Sequence, residues 1–196
     1  MIETKILLLG DGGVGKTSIA IRFICDRFIE VYDPTNDDPY TKRVTVDDET
    51  YSLELIDVAG SEEYAVYRND KICISDGFLV VYSITDSSSF DNIKYFIETI
   101  YRILDKELCE DIPIVLYGNK CDLELNRDIT TEEGKTLAEK LNVLFFEGSA
   151  KNNINIEEVI YDLLREIYKQ KTEIKNKTKS QNDIHLNTKN KPCIMC

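Results

Sequence analysis

Two spacings of apolar residues alternate along this chain, and each predicts an element. Lys5–Leu9 carries the unbroken run Ile6-Leu7-Leu8-Leu9 and predicts a strand buried on both faces. Ser18 to Cys25 reads as a helix ending near Asp26, and an irregular acidic stretch follows over Glu30–Asp38. Tyr40–Val46 and Tyr51–Val58 alternate at period two around Asp47-Asp48-Glu49-Thr50, the pattern of a hairpin. Glu62–Ile74 predicts a short helix and Gly77–Ile84 a buried strand. Ile93, Phe96, Ile97, Ile100, Tyr101 and Leu104 recur at helical spacing. Ile112–Tyr117 is the next strand, and Thr130 with Glu133 forms a capping box for a helix carrying Leu137, Ala138 and Leu141. Val143–Phe146 is the last strand, and Ile156, Val159, Ile160, Leu163, Leu164 and Ile167 stripe a final helix. Strands alternating with helices predict an α/β fold: a six-stranded, mostly parallel sheet with one antiparallel edge and helices on both faces. Such sheets bind ligands beyond the carboxyl ends of their strands.

Composition narrows the class. The 196 residues suit one domain, 1–171, plus a tail, 172–196. No apolar stretch approaches the roughly 18 residues of a membrane span, and the N-terminus lacks the order of a signal peptide. The protein is therefore expected in the cytosol unless something anchors it. The net charge of −12 argues against nucleic acid as a partner. It is unevenly spread: five lysines against Glu173 and Asp183 leave residues 172–196 at +3, so the body carries −15. Cys25, Cys73, Cys109 and Cys121 read as reduced packing thiols, and Cys193 with Cys196 has no second pair to make a zinc site. The single histidine, His185, lies in the tail, so the body has no candidate for histidine chemistry.

Candidate chemistry begins directly after the first strand. Gly10-Asp11-Gly12-Gly13-Val14-Gly15-Lys16-Thr17 fits the phosphate-loop pattern G-x-x-x-x-G-K-[ST] at every position. The glycines let backbone N–H groups turn toward phosphate oxygens, Lys16 reaches the β- and γ-phosphates, and Thr17 offers a hydroxyl to Mg²⁺. The helix from Ser18 onward adds its N-terminus to the anion site. Asp57-Val58-Ala59-Gly60 follows the third strand. There the aspartate can hold the Mg²⁺ shell, and Gly60 can set an N–H against a γ-phosphate. Thr35 offers a further hydroxyl from the acidic loop.

Asn119-Lys120-Cys121-Asp122 chooses the base. The Asp122 carboxylate can accept from guanine N1–H and the 2-amino group. Adenine has neither donor and leaves the acid unpaired, a difference worth roughly 10⁴-fold or more. Lys120 can lay its stem over the base. Ser149-Ala150-Lys151 supplies a backbone N–H for the guanine oxygen, and Ser149 can steady Asp122.

Over about residues 3–170 the chain resembles a small GTPase of the Ras family, and of its Ras branch. The effector-loop wording is Tyr32-Asp33-Pro34-Thr35, and the second switch reads Asp57-Val58-Ala59-Gly60-Ser61-Glu62-Glu63-Tyr64. The resemblance implies the P-loop NTPase fold of small G proteins, GTP and GDP as ligands, and Mg²⁺ held by Thr17, Thr35 and Asp57. It implies nucleotide contacts from Gly12 through Ser18, Phe28 packed on guanine, and Tyr32 closing over the phosphates. Catalysis would rest on Lys16, Thr35, Gly60 and Ser61. Effectors would meet residues Tyr32, Asp33, Pro34, Thr35, Asn36, Asp37, Asp38, Pro39 and Tyr40. Exchange factors and GTPase-activating proteins are the other implied partners, with switch loops ordered by the γ-phosphate.

The chain departs from the family at four of these places. Ser61 stands where the family has Gln, the residue that orients the attacking water, and serine is too short for that role. Slow intrinsic hydrolysis and weak stimulation by ordinary Ras activators are expected, unless a partner compensates as in the Rap branch, which carries Thr there. Pro39 stands where the branch has Ser. Proline lacks an N–H, so it either weakens strand-pairing with effectors or protects an exposed edge. Asp11 replaces Ala and Lys71 replaces Tyr. The chain ends Cys193-Ile194-Met195-Cys196, a C-a-a-X signal for prenylation of Cys193, farnesyl or geranylgeranyl. The composition of 172–196 predicts disorder. One lipid plus scattered lysines predicts reversible anchoring at the cytoplasmic face of the plasma membrane. Such a protein is a signalling switch, or else a GTP-loaded adaptor that scarcely hydrolyses.

Overall fold

A computed structural model describes residues 1–29, 40–60, 62–107 and 111–189, with side chains through Glu173 apart from Glu62. Its strands are β1 (Ile2–Leu9), β2 (Tyr40–Val46), β3 (Glu49–Asp57), β4 (Gly77–Ser83), β5 (Ile114–Asn119) and β6 (Leu144–Glu147). Its α-helices are α1 (Lys16–Cys25), α2 (Ala65–Ile74), α3 (Ser87–Asp91), α4 (Ile93–Ile103), α5 (Thr131–Leu141) and α6 (Ile156–Lys189). The six strands run in the order β2-β3-β1-β4-β5-β6. Every neighbouring pair is parallel except β2 with β3, so the expected antiparallel edge is present.

Alternation along the strands builds two cores. Ile6 and Leu8 of β1 face the layer holding α1 and α6, with Ile19, Phe23, Val159 and Leu163. Leu7 and Leu9 face the layer holding α2, α4 and α5, with Ile72, Ile97 and Ala138. A fully buried Leu or Ile contributes about 1.5–3 kcal/mol, several times any single residue's helix or strand propensity. Packing therefore fixes which residues pair across the sheet.

The elements differ from the sequence expectation mainly at their ends. β1 starts earlier, at Ile2, because Ile2 pairs with Tyr51 at the far end of β3. The hairpin is tighter than expected: Asp47 and Asp48 both take positive φ, 49° and 68°, and β3 resumes at Glu49. That is a two-residue turn whose twist matches the strands. The expected helix over 62–74 is a short 3₁₀ turn, Glu62–Tyr64, followed by α2. α3 was not expected; it forms because Asp86 caps it, its Oδ1 accepting from the N–H groups of Ser88 and Ser89 at 3.1 and 3.4 Å. The Thr130–Glu133 capping box is present at the start of α5. α6 continues to Lys189, past the boundary expected after residue 171, since no Gly or Pro interrupts 156–189 and the next proline is Pro192.

One core group is poorly served. Among the described residues the buried Tyr82 hydroxyl has no hydrogen-bond partner, and burial pushes its pKa up. A Cβ on Gly118 or Gly134 would stand 2.7 or 2.5 Å from that oxygen, so the two glycines make its room. Tyr82→Phe removes a desolvated hydroxyl and keeps the ring, which packs edge-on to Phe90. Stability is expected to rise by about 1 kcal/mol. A lower melting temperature for the variant would refute this.

Candidate functional site

The carboxyl ends of β1, β3 and β5 open on one cleft of about 640 Å³. Gly12, Gly13, Gly15, Lys16, Thr17, Ser18, Phe28, Asp57, Gly60, Asn119, Lys120, Asp122, Ala150 and Lys151 line it, so the separated motifs do converge. Val14 and Ser149 are buried behind the lining. Tyr32, Asp33, Pro34, Thr35, Asn36, Asp37, Asp38, Pro39, Ser61 and Cys193 lie outside the described residues, and Tyr40 opens β2. A second hollow of about 470 Å³, between α5 and α6 at the opposite ends of the strands, is lined by none of the predicted site residues.

The phosphate end is built by the turn from β1 into α1. Gly15 precedes the helix with φ of 101°, and a Cβ there would stand 2.3 Å from Asn119 Nδ2. A side chain would thus be strained and would strike Asn119 at the end of β5. No side chain caps α1 among the described residues, which leaves its first-turn N–H groups for an anion. Lys16 is buried, and its Nζ donates to the carbonyl oxygens of Gly10 at 2.8 Å and Asp11 at 2.7 Å. Burial pushes its pKa down, Asp57 and Asp11 raise it, and Arg68 adds to the lowering. A desolvated ammonium resting on neutral carbonyls is a site poised for phosphate oxygens.

Thr17 Oγ1 donates to Asp57 Oδ2 at 2.5 Å. Burial pushes the Asp57 carboxyl above the usual range, outweighing the Thr17 hydrogen bond and the charge of Lys16. A hydroxyl and a desolvated carboxylate side by side suit Mg²⁺, which takes few protein ligands and completes its shell with phosphates and water. Gly60 packs on the phosphate loop: a Cβ there would lie 2.4 Å from Gly10 O and 2.7 Å from Gly12 N. Only glycine lets the second switch approach so closely.

At the base end Ser149 Oγ donates to Asp122 Oδ1 at 2.5 Å and accepts from Asn152 N–H at 3.0 Å. Asp122 itself lines the cleft. Lys120 takes left-handed backbone, φ 70°, where β5 turns away. Asn119 is buried and joins both ends of the site: its Nδ2 donates to Val14 O at 2.8 Å and its Oδ1 accepts from Ala150 N–H at 3.2 Å.

Three contacts were missed from sequence. Asn92 Nδ2 donates to Asp11 Oδ2 at 2.7 Å and ties the phosphate loop to the start of α4. Leu123 lines the base end. Arg22 bridges α1 to the 149–151 loop. These partners lie 81 and up to 129 residues apart, so no local spacing announces them.

Fold and cleft together define a P-loop nucleotide-binding protein. The family model described as the Ras family matches residues 5–169. "Ras-like protein rasX" of Dictyostelium discoideum is 44% identical over 186 residues, covering 95% of this chain and 85% of that protein. "Ras-like protein rasZ" of the same organism is 42% identical over 186 residues, covering 95% and 86%. "Ras-like protein rasW", also from that organism, is 43% identical over 179 residues, covering 91% and 82%. The chain belongs to the Ras family of small GTPases.

Proposed function

We propose that the protein is a signalling switch that cycles slowly between GDP and GTP with Mg²⁺, anchored to a membrane through a prenylated Cys193. One juxtaposition carries this reading: the Ser149-held Asp122 carboxylate and the Lys16–Thr17–Asp57 group share a single cleft. The first selects guanine and the second receives a triphosphate. Lys16 and the first turn of α1 bind the β- and γ-phosphates and stabilise charge that develops on their oxygens. Thr17 and Asp57, with Thr35, would hold Mg²⁺, which would supply neutralisation of phosphate charge. Gly60, packed on the phosphate loop, would offer its N–H to the γ-phosphate and so report whether that phosphate is present.

Ser61 supports the slow step, because serine is shorter than the glutamine that orients the attacking water in the family. Gly12 leaves room for a partner's arginine. Effectors, exchange factors and activating proteins are the partners, and the acidic effector stretch favours a basic effector surface.

Single-turnover hydrolysis tests this. Ser61→Gln is expected to speed GTP loss roughly tenfold or more. An unchanged rate would show that Ser61 is not the limit. Ser61 also favours a second reading, a GTP-loaded adaptor. Nucleotide extracted from purified protein decides between them: mostly GDP supports the switch, mostly GTP the adaptor.

A further inference from the structure

Arg22 lies in the last turn-and-a-half of α1, and its side chain is only 14% exposed. Nε donates to Ala150 O at 2.8 Å, Nη2 to Lys151 O at 2.9 Å, and Nη1 to Asp26 O at 3.2 Å. The guanidinium thus spends two of its donors on consecutive carbonyls of the base-binding loop. Its own helix begins at Lys16, so one rigid element holds the phosphate lysine at one end and this loop at the other.

The peptide units involved are informative. The Ala150 N–H is occupied by Asn119 Oδ1. The next N–H along the loop, that of Lys151, belongs to the same peptide as the Ala150 carbonyl. A cation hydrogen-bonded to that carbonyl polarises the peptide and makes its N–H a stronger donor. Asp122 accepts from the guanine N1 and N2 groups, which leaves the 6-oxygen to be met by a donor from this loop.

We propose that Arg22 is a positioning residue that aims and polarises the Lys151 N–H at the guanine 6-oxygen, and thereby sets how long nucleotide stays bound. The inference rests on the guanine-binding reading above. It makes nucleotide residence depend on a side chain on the far side of the loop from the ligand.

Dissociation of GDP and of 6-thioguanosine diphosphate, measured on the full chain, tests it. The second base keeps the N1–H and the 2-amino group and carries sulfur, a weak acceptor, where guanine carries the 6-oxygen. Arg22→Ala is expected to speed GDP release about ten- to hundredfold, the worth of the lost charged hydrogen bonds, and to change release of the 6-thioguanine nucleotide less than about twofold. Arg22→Lys, whose single Nζ keeps the charge but reaches one carbonyl, is expected between wild type and Ala. Equal acceleration of both nucleotides in both variants would mean that Arg22 only holds the fold, and no acceleration would mean that it holds nothing relevant. Either result overturns the assignment while leaving guanine binding intact. Wild-type protein that fails to retain GDP at all would overturn both.

Discussion

Asp122→Asn should lower GDP affinity by about 10³-fold or more and transfer preference to xanthine nucleotides. Guanine presents two donors, N1–H and the 2-amino group, to the carboxylate. An asparagine in that place keeps one acceptor and adds an amide donor, which faces the 2-amino group donor to donor. Xanthine has an oxygen at position 2, so the same amide pairs with it fully. An unmet buried donor or acceptor costs about 1–3 kcal/mol, and here two groups are mismatched while a charge-assisted bond is also lost. The Ser149 hydroxyl can still donate to the asparagine oxygen, as it does to Asp122 Oδ1, so the side chain stays oriented. Competition of GDP against XDP for a fluorescent nucleotide measures the change. A variant that still prefers GDP would remove Asp122 from the base contact.

Lys16→Met should reduce nucleotide affinity at least about 100-fold while leaving the ligand-free protein as stable as before, or more so. Methionine fills most of the buried stem volume and brings no charge. The ligand-free protein bears the cost of a desolvated ammonium, which shows as the lowered pKa of Lys16. Because that folded pKa lies below the unfolded value of 10.5, the unfolded chain binds more protons in between. Stability of the ligand-free wild type is therefore expected to rise as pH climbs through that window, and Lys16→Met should lose this rise. Urea unfolding at neutral and alkaline pH, beside nucleotide titration, measures both effects. A variant that binds GDP normally, or that is destabilised to the extent that it loses binding, would show that the lysine serves packing.

The convergence of the candidate site residues on one cleft was legible in the sequence because they are compressed into short loops. Gly10–Thr17, Asp57–Gly60, Asn119–Asp122 and Ser149–Lys151 each follow a strand, and parallel topology then delivers them to one rim. The sheet was legible too, since Ile6–Leu9 and the Gly77–Ser83 run cannot be solvated on either face. What escaped notice depends on packing between distant segments. Asn119 looks in sequence like a base-loop residue, yet its amide also fastens Val14, 105 positions away. Arg22 looks like a solvated helix charge, and only the docking of α1 beside the last loop turns it inward. α3 escaped because its serines carry weak helix preference and its one strong signal is the Asp86 cap.

Because α1 joins Lys16 to Arg22 without a break, it behaves as a ruler between phosphate and base. Each residue of an α-helix advances about 1.5 Å and turns about 100°. One residue inserted or deleted between these two positions would swing the guanidinium to another face of the helix, away from Ala150 and Lys151. Insertions and deletions are thus expected to be tolerated in the connecting loops, whereas this ten-residue segment must keep its count even where its individual side chains are free to drift.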